Sequence, residues 1–239
     1  MRNFYLYCAV GMRGTGKTYT TYQLIHHYVK VHHRPVLIFD INREPIYQRL
    51  PPITQQMIER RLYSQGRIYR YNPKDYNCYD ELTFILKNFK NACILLEDIS
   101  RYLTQFHKRE IVSTLVGLRH EKQDIIMHFQ SYKDIMPKLR PYISVLRVHF
   151  TLENLSLHKN AFQEFNLMFI VDTIVKKRFY EGKRYNFLTI NFDEMKIIGN
   201  ITYSELDYAL QRLKEVAKLE DHEISMYKNY LIQNIIRCS

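Results

Sequence analysis

Val10-Gly11-Met12-Arg13-Gly14-Thr15-Gly16-Lys17-Thr18 is the stretch that decides the fold of this 239-residue chain. Gly11, four further residues, then Gly16, Lys17 and Thr18 match the phosphate-binding loop G-x-x-x-x-G-K-[ST] at every fixed position. Glycines let backbone N–H groups turn inward around phosphates, which then sit at a helix N-terminus where the dipole favours anions. Gly11, Gly14, Thr15, Gly16, Lys17 and Thr18 are therefore the expected nucleotide-binding residues, with Lys17 reaching the β- and γ-phosphates and Thr18 ligating Mg²⁺. The flanks agree with this reading. Phe4 to Val10 is a short β-prone apolar run, and Thr18 to Lys30 can form a helix after the loop.

Working outward, Val36-Leu37-Ile38-Phe39-Asp40 reads as a second buried strand of a parallel sheet. Asp40 at its end either touches the metal's water shell or caps the following turn. Ile53 to Tyr63 and Asp80 to Phe89 look helical, and Arg67 to Tyr71 is a short strand candidate. Asn91-Ala92-Cys93-Ile94-Leu95-Leu96-Glu97-Asp98 is a hydrophobic strand ending in two acids, a pattern that puts one carboxylate on the Mg²⁺ shell and the other beside the attacking water. Four apolar residues place Glu97 at the metal position and Asp98 at the base position. The usual order is Asp then Glu, and a one-residue change of register would give Asp98 the metal. Gln105 to Arg119 is amphipathic. Asp124 to Ser131 is a third buried strand, whose terminal Gln130 either orients the lytic water, senses the γ-phosphate, or caps the strand. Val145 to Thr151 is a further strand.

Lys and Arg number 35 against 24 Asp and Glu, a formal charge of +11, which suits a protein that meets polyanions such as nucleic acid. The alternative is a basic composition that serves nucleotide binding alone. Cysteines 8, 78, 93 and 238 have no C-x-x-C spacing, so they read as reduced thiols of a cytoplasmic protein without a zinc site. No apolar run approaches the roughly eighteen residues of a membrane span, and the N-terminus lacks the pattern of a signal peptide.

The loop GMRGTGKT, the strand ILLED, the LRH before a strand, and HFQS-YKDIMPKLRPYISVLRVHF together resemble the FtsK/HerA branch of P-loop ATPases, particularly small viral genome-packaging ATPases and Zot-like phage morphogenesis proteins. The resemblance covers roughly residues 4 to 151. It implies an α/β, RecA/FtsK-like P-loop NTPase fold with a mostly parallel central sheet flanked by helices. It also implies ATP and Mg²⁺ as cofactors, and a homo-oligomeric ring, commonly hexameric, that moves double-stranded DNA in the host cytoplasm, with a viral capsid or portal component as a further partner. By the same resemblance Arg119 is the candidate arginine finger, and Arg13 a basic loop residue that toggles with nucleotide state or points outward.

The remaining third departs from a plain nucleotide-binding core. Phe165 to Phe179 and Tyr185 to Phe192 are rich in β-branched and aromatic residues around a Glu181-Gly182-Lys183 turn, and read as a long hairpin. Lys176, Lys177, Arg178, Lys183 and Arg184 near its tip would grip DNA phosphates without reading sequence, or merely solvate the turn. Thr202-x-x-Glu205 is a capping box opening a helix with Leu206, Leu210, Leu213 and Ala217 on one face, and Ile224, Tyr227, Leu231 and Ile235 form a second stripe. Without a linker or repeat, residues 1–239 read as one P-loop ATPase domain, with a nucleotide-binding core over about 1–151 and a hairpin and helical extension over about 152–239. The leading function is an ATP-driven DNA translocase packaging a viral genome. The alternatives are a Zot-like or AAA-like ATPase for virion assembly or nucleoprotein remodelling, and a nucleotide-dependent binding switch. A small-molecule kinase fits less well, because no arginine-rich lid follows the loop.

Overall fold

The computed structural model describes residues 5–74, 78–98, 111–115, 117 and 123–236. In chain order these form β1 (Leu6–Val10), α1 (Lys17–His32), β2 (Val36–Phe39), α2 (Gln55–Glu59), β3 (Ile68–Tyr71), α3 (Tyr79–Asn88), β4 (Cys93–Leu96), a helical stretch at 111–115, and β5 (Asp124–Phe129). There follow β6 (Val145–His149), α4 (Phe165–Tyr180), β7 (Phe187–Asn191), β8 (Lys196–Ile198), α5 (Tyr203–Ala217), α6 (Asp221–Asn234) and β9 (Ile235–Ile236).

The apolar runs LYCAV, VLIF and CILL cannot leave either face in water, and a parallel sheet covered on both sides is the arrangement that satisfies them. The strands form one sheet in the order β3-β2-β4-β5-β1-β6-β7-β8-β9. From β3 to β6 every pairing is parallel, whereas β7 runs antiparallel to both β6 and β8. Alternate side chains serve opposite layers. Val36 and Ile38 meet Ile25 of α1 on one face, while Leu37 and Phe39 join the larger cluster on the other. Ile25 is fully buried, so truncating it to Ala should cost about 2–5 kcal/mol.

Register fixes where the site lies. Val10 pairs with Phe129 on one side and Val148 on the other, and Leu96 pairs with both Phe39 and Met127. The loop after Val10, Asp40 after Phe39, Glu97-Asp98 after Leu96 and Gln130 after Phe129 therefore all emerge at one sheet edge, the edge where open α/β sheets bind ligands. The opposite edge is fastened by Asp124, which accepts hydrogen bonds from Arg34 at 2.9 Å and Tyr28 at 2.6 Å.

The hairpin expected over 165–192 is not there. Phe165–Tyr180 is a single helix of 16 residues, nine of them buried. A helix apolar around most of its circumference has no polar stripe, so its Phe, Ile, Val and Thr content imitates a strand; its length is the better guide. The hairpin of this region is β7–β8, with its turn at 192–195. Gly182, at φ +91, belongs to the connection between α4 and β7, where its N–H bonds to the Phe179 carbonyl. The capping box of α5 forms as read, with Thr202 and Glu205 each satisfying the other's backbone N–H. Leu206, Ala209, Leu210 and Leu213 are its buried face. On α6, Leu231 is buried while Ile224 and Tyr227 pack partly buried against the core. Among the described residues no helix is long and apolar enough to cross a membrane.

Candidate nucleotide site

The loop from Gly11 to Gly16 is pinned from both sides. Gly11 N–H bonds to the Phe129 carbonyl at 3.1 Å and Met12 N–H to the Phe150 carbonyl at 2.9 Å. At Gly11 glycine is obligatory, because a Cβ there would lie 2.5 Å from the Cβ of His149. Gly16, in the left-handed region at φ +90, turns the chain into α1, which begins at Lys17. The Lys17 ammonium donates to the Gly11 carbonyl and, at 2.9 Å, to that of Met12. Burial lowers its pKa, against the opposing pull of Asp98 and Glu97.

A cleft of about 570 Å³ opens over this loop, and Lys17, Thr18, Glu97, Asp98, Glu44 and Tyr185 are among its walls. Glu97 is buried, with Oε1 accepting from the Tyr47 hydroxyl at 2.6 Å and Oε2 3.0 Å from His128 Nδ1. The other ring nitrogen of His128 lies 2.8 Å from the Thr21 hydroxyl on α1. The geometry fits Nδ1–H donating to the carboxylate and Nε2 accepting from Thr21. Burial would raise the pKa of Glu97, but His128, Tyr47 and Lys17 outweigh it and hold the carboxyl below its ordinary value. Asp98 stands at φ +46, with Oδ2 accepting from Gln130 Nε2 at 3.2 Å. Two further acids crowd the same side. Asp40 caps the turn after β2 by accepting the Glu44 N–H at 2.9 Å, and burial with neighbouring acids raises the pKa of both Asp40 and Glu44.

The structure thus brings together Gly11, Gly14, Thr15, Gly16, Lys17, Thr18, Glu97, Asp98 and Gln130 at one edge. Arg119 lies outside the described residues. Arg13 is exposed on the rim of the cleft. The five cations assigned to a hairpin tip do not gather at one. Lys176 bonds to Asp172 at 2.7 Å and to the Glu153 carbonyl at 2.5 Å, and Lys177 pairs with Glu181. Arg178 grips both oxygens of Glu205, at 2.7 and 2.9 Å, and holds that carboxyl down at about 2. These three stand in the last turns of α4, where cations complement the helix dipole and join it to its neighbours. Lys183, 3.9 Å from Glu181 and with its side chain 61% exposed, and Arg184 stand on the connection that follows.

Sequence reasoning passed over Tyr47, Thr21, His128, His149 and Tyr185. A lone histidine in the buried run Asp124–Phe129, two residues before Gln130, was a usable signal, since an imidazole in such a strand needs partners on both nitrogens. Nothing in the sequence marks Tyr185.

No protein-family model and no curated protein matches the chain. Solved structures do. The DNA-packaging ATPase B204 from Sulfolobus turreted icosahedral virus is 16% identical, with a TM-score of 0.59 over 82% of this chain and 97% of that one. The genome packaging NTPase B204 from Sulfolobus turreted icosahedral virus 2, in complex with AMPPCP, is 18% identical, with a TM-score of 0.58 over 81% and 95%. The N-terminal domain of zonular occludens toxin from Neisseria meningitidis is also matched, at a TM-score of 0.39, too loose to carry an argument. The α/β fold of this chain, with the Gly11–Thr18 loop between β1 and α1, is that of these viral genome-packaging NTPases.

Proposed function

We propose that the protein hydrolyses ATP and couples hydrolysis to the movement of double-stranded DNA, as a ring-forming viral genome-packaging motor. One observation carries this reading: the phosphate loop and the acid pair Glu97/Asp98 face each other across a single cleft. Structures of like fold hold AMPPCP and ATP-gammaS, which supports a nucleotide there. The loop's glycines also fit a phosphate cradle. No Cβ narrows it at Gly14 or Gly16, and Gly11 lies so close to His149 that only glycine is accommodated.

In this reading Lys17 binds the β- and γ-phosphates. Thr18 and Glu97 would hold Mg²⁺ through oxygen, a donor set of the kind that ion takes alongside phosphates and water. Bound Mg²⁺ would neutralise charge on the phosphate oxygens. Asp98, hydrogen-bonded to Gln130, orients and deprotonates the attacking water, and that pairing supports the assignment of the metal to Glu97 and the base to Asp98. Arg119 supplies the finger, in its own subunit or a neighbour's. Residues 1–239 act as one unit, a reading supported by the sheet that runs unbroken from core to extension. DNA phosphates meet Lys183 and Arg184 first, since Lys176, Lys177 and Arg178 are held by close partners within the chain while Lys183 is largely exposed and comes no nearer than 3.9 Å to Glu181. A capsid or portal component would anchor the ring in the cytoplasm of an infected host.

ATP turnover with and without double-stranded DNA, at two salt concentrations, tests the reading. DNA should stimulate hydrolysis and salt should erase the stimulation. Lys17→Ala should lower turnover at least about 100-fold in a folded protein. Asp98→Asn should bind MgATP but hydrolyse slowly, whereas Glu97→Gln should raise the Mg²⁺ requirement; opposite phenotypes would reverse the two roles. Arg119→Ala should lose about 10³-fold in rate and regain activity in rings mixed with Lys17→Ala if the finger acts in trans. Replacing Lys183 and Arg184 by Gln should flatten the slope of log affinity against log salt by about two. Hydrolysis indifferent to DNA would defeat the translocase assignment, and wild-type turnover in Lys17→Ala would defeat the site itself.

A further inference from the structure

We infer that Tyr185 is the base-binding residue of this site, its ring forming one wall of a slot for the purine of a nucleoside triphosphate. The inference rests on the nucleotide reading above and extends it to the half of the ligand that the phosphate loop does not touch.

Three observations converge on this residue. The first is topological. β7 starts where β6 ends, Phe187 pairing with His149, so the residues just before Phe187 overhang the edge where the phosphate loop opens. The second is proximity. Tyr185 Cδ1 and Cβ lie 3.5 and 3.9 Å from where a Cβ on Gly16 would stand, so the ring sits directly over the end of the loop. The third is exposure. Tyr185 is 71% exposed, its hydroxyl has no hydrogen-bond partner among the described residues, and it lines the cleft together with Tyr19, itself 60% exposed. A large ring left in water beside a phosphate cradle gains by covering its face with another flat apolar surface.

The sheet order sets the direction of the ligand. Glu97 and Asp98 follow β4, two strands from β1 on one side, and Tyr185 precedes β7, two strands from β1 on the other. A triphosphate seated on the loop with its γ end toward the acids therefore carries its nucleoside toward Tyr185. Stacking on an aromatic face discriminates by ring area rather than by the groups on the base edge. The slot should therefore take ATP and GTP alike and hold CTP and UTP more weakly.

Calorimetric titration of the full chain with ATP, GTP, CTP and inorganic tripolyphosphate tests the assignment. Stacking of one base on one aromatic ring corresponds to roughly 5- to 150-fold in affinity. Tyr185→Ala should lose that much for ATP and GTP and leave tripolyphosphate binding within about two-fold, with Tyr185→Phe restoring the purines. An unchanged ATP affinity in Tyr185→Ala overturns the inference, as does an equal loss for ATP and tripolyphosphate, which would make the ring a support for the loop. Lys17→Ala serves as the contrast, because it should weaken ATP and tripolyphosphate together. If the wild-type chain binds neither ATP nor tripolyphosphate, the nucleotide reading falls and this inference with it; if it binds both and only the Tyr185 arm fails, the nucleotide reading stands.

Discussion

His149 should make the protein lose stability well above the pH at which carboxylates titrate. The ring is fully buried at the end of β6, with Nδ1 3.0 Å from the Thr15 carbonyl of the phosphate loop. Nδ1–H donates to that carbonyl, leaving the Nε2 lone pair buried without a partner among the described residues. Burial, then the nearby charge of Arg147, pushes its pKa down to about 3, with Lys17 and His128 pushing the same way. In the unfolded chain the ring titrates near its ordinary value of about 6.5. Below that pH the unfolded chain takes up a proton that the native state refuses until about pH 3, so the histidine's contribution is full above 6.5 and lost as pH falls. The loss approaches about 1.4 kcal/mol per pH unit, or about 2 kcal/mol between pH 7 and pH 5. Urea unfolding of wild type and His149→Asn at pH 7, 6 and 5 measures it. The variant keeps an N–H donor, and whatever constant penalty its smaller side chain brings, its advantage relative to wild type should grow by about 2 kcal/mol on going to pH 5. A difference between the two proteins that stays constant over that range would refute the buried, neutral imidazole.

Three other outcomes follow from particular contacts. Tyr47→Phe removes a 2.6 Å bond to buried Glu97 and should cost about 1–3 kcal/mol in urea unfolding while moving the acid limb of the ATPase pH profile upward, because that bond helps hold the carboxyl ionised. Arg178→Ala should cost about 2–3 kcal/mol at pH 7, and the deficit should shrink as pH falls from about 4 through 2, as Glu205 becomes protonated first in the variant and then in the wild type. Gly11→Ala, with its Cβ 2.5 Å from His149, should lower the melting temperature and abolish ATP binding, whereas Gly14→Ala meets nothing within 4 Å and should lose only the roughly 1–2 kcal/mol of a left-handed residue at φ +76.

The parallel half of the sheet was legible because its strands are continuous apolar runs, each followed at once by a glycine or a polar residue: Gly11, Asp40, Glu97-Asp98 and Gln130. Strand order was not legible, since nothing local says that β5 slips between β4 and β1. The error in α4 has a definite cause: a helix buried on nearly all sides loses the 3.6-residue polar rhythm by which helices are recognised. The cation cluster failed with it, because Lys176, Lys177 and Arg178 find Asp172, Glu181 and Glu205 only once the segment is coiled. Partners distant in sequence, Tyr47 and His128 for Glu97 and Tyr185 for Gly16, are products of the tertiary fold and leave no local trace.

Tyr47, Glu97, His128 and Thr21 form a buried bolt through the turn after β2, the ends of β4 and β5, and α1. Sliding α1 along the sheet by even one helical turn, about 5.4 Å, would part Thr21 from His128 and leave Nε2 of a buried imidazole unpaired, at a cost of about 1–3 kcal/mol. The acid end of the cleft is thus an anvil rather than a moving part. In the proposed motor, work extracted from a nucleotide would be delivered through segments outside the bolt, among them the exposed connection from α4 to β7, which carries Lys183, Arg184 and Tyr185 beside the Gly11–Thr18 loop.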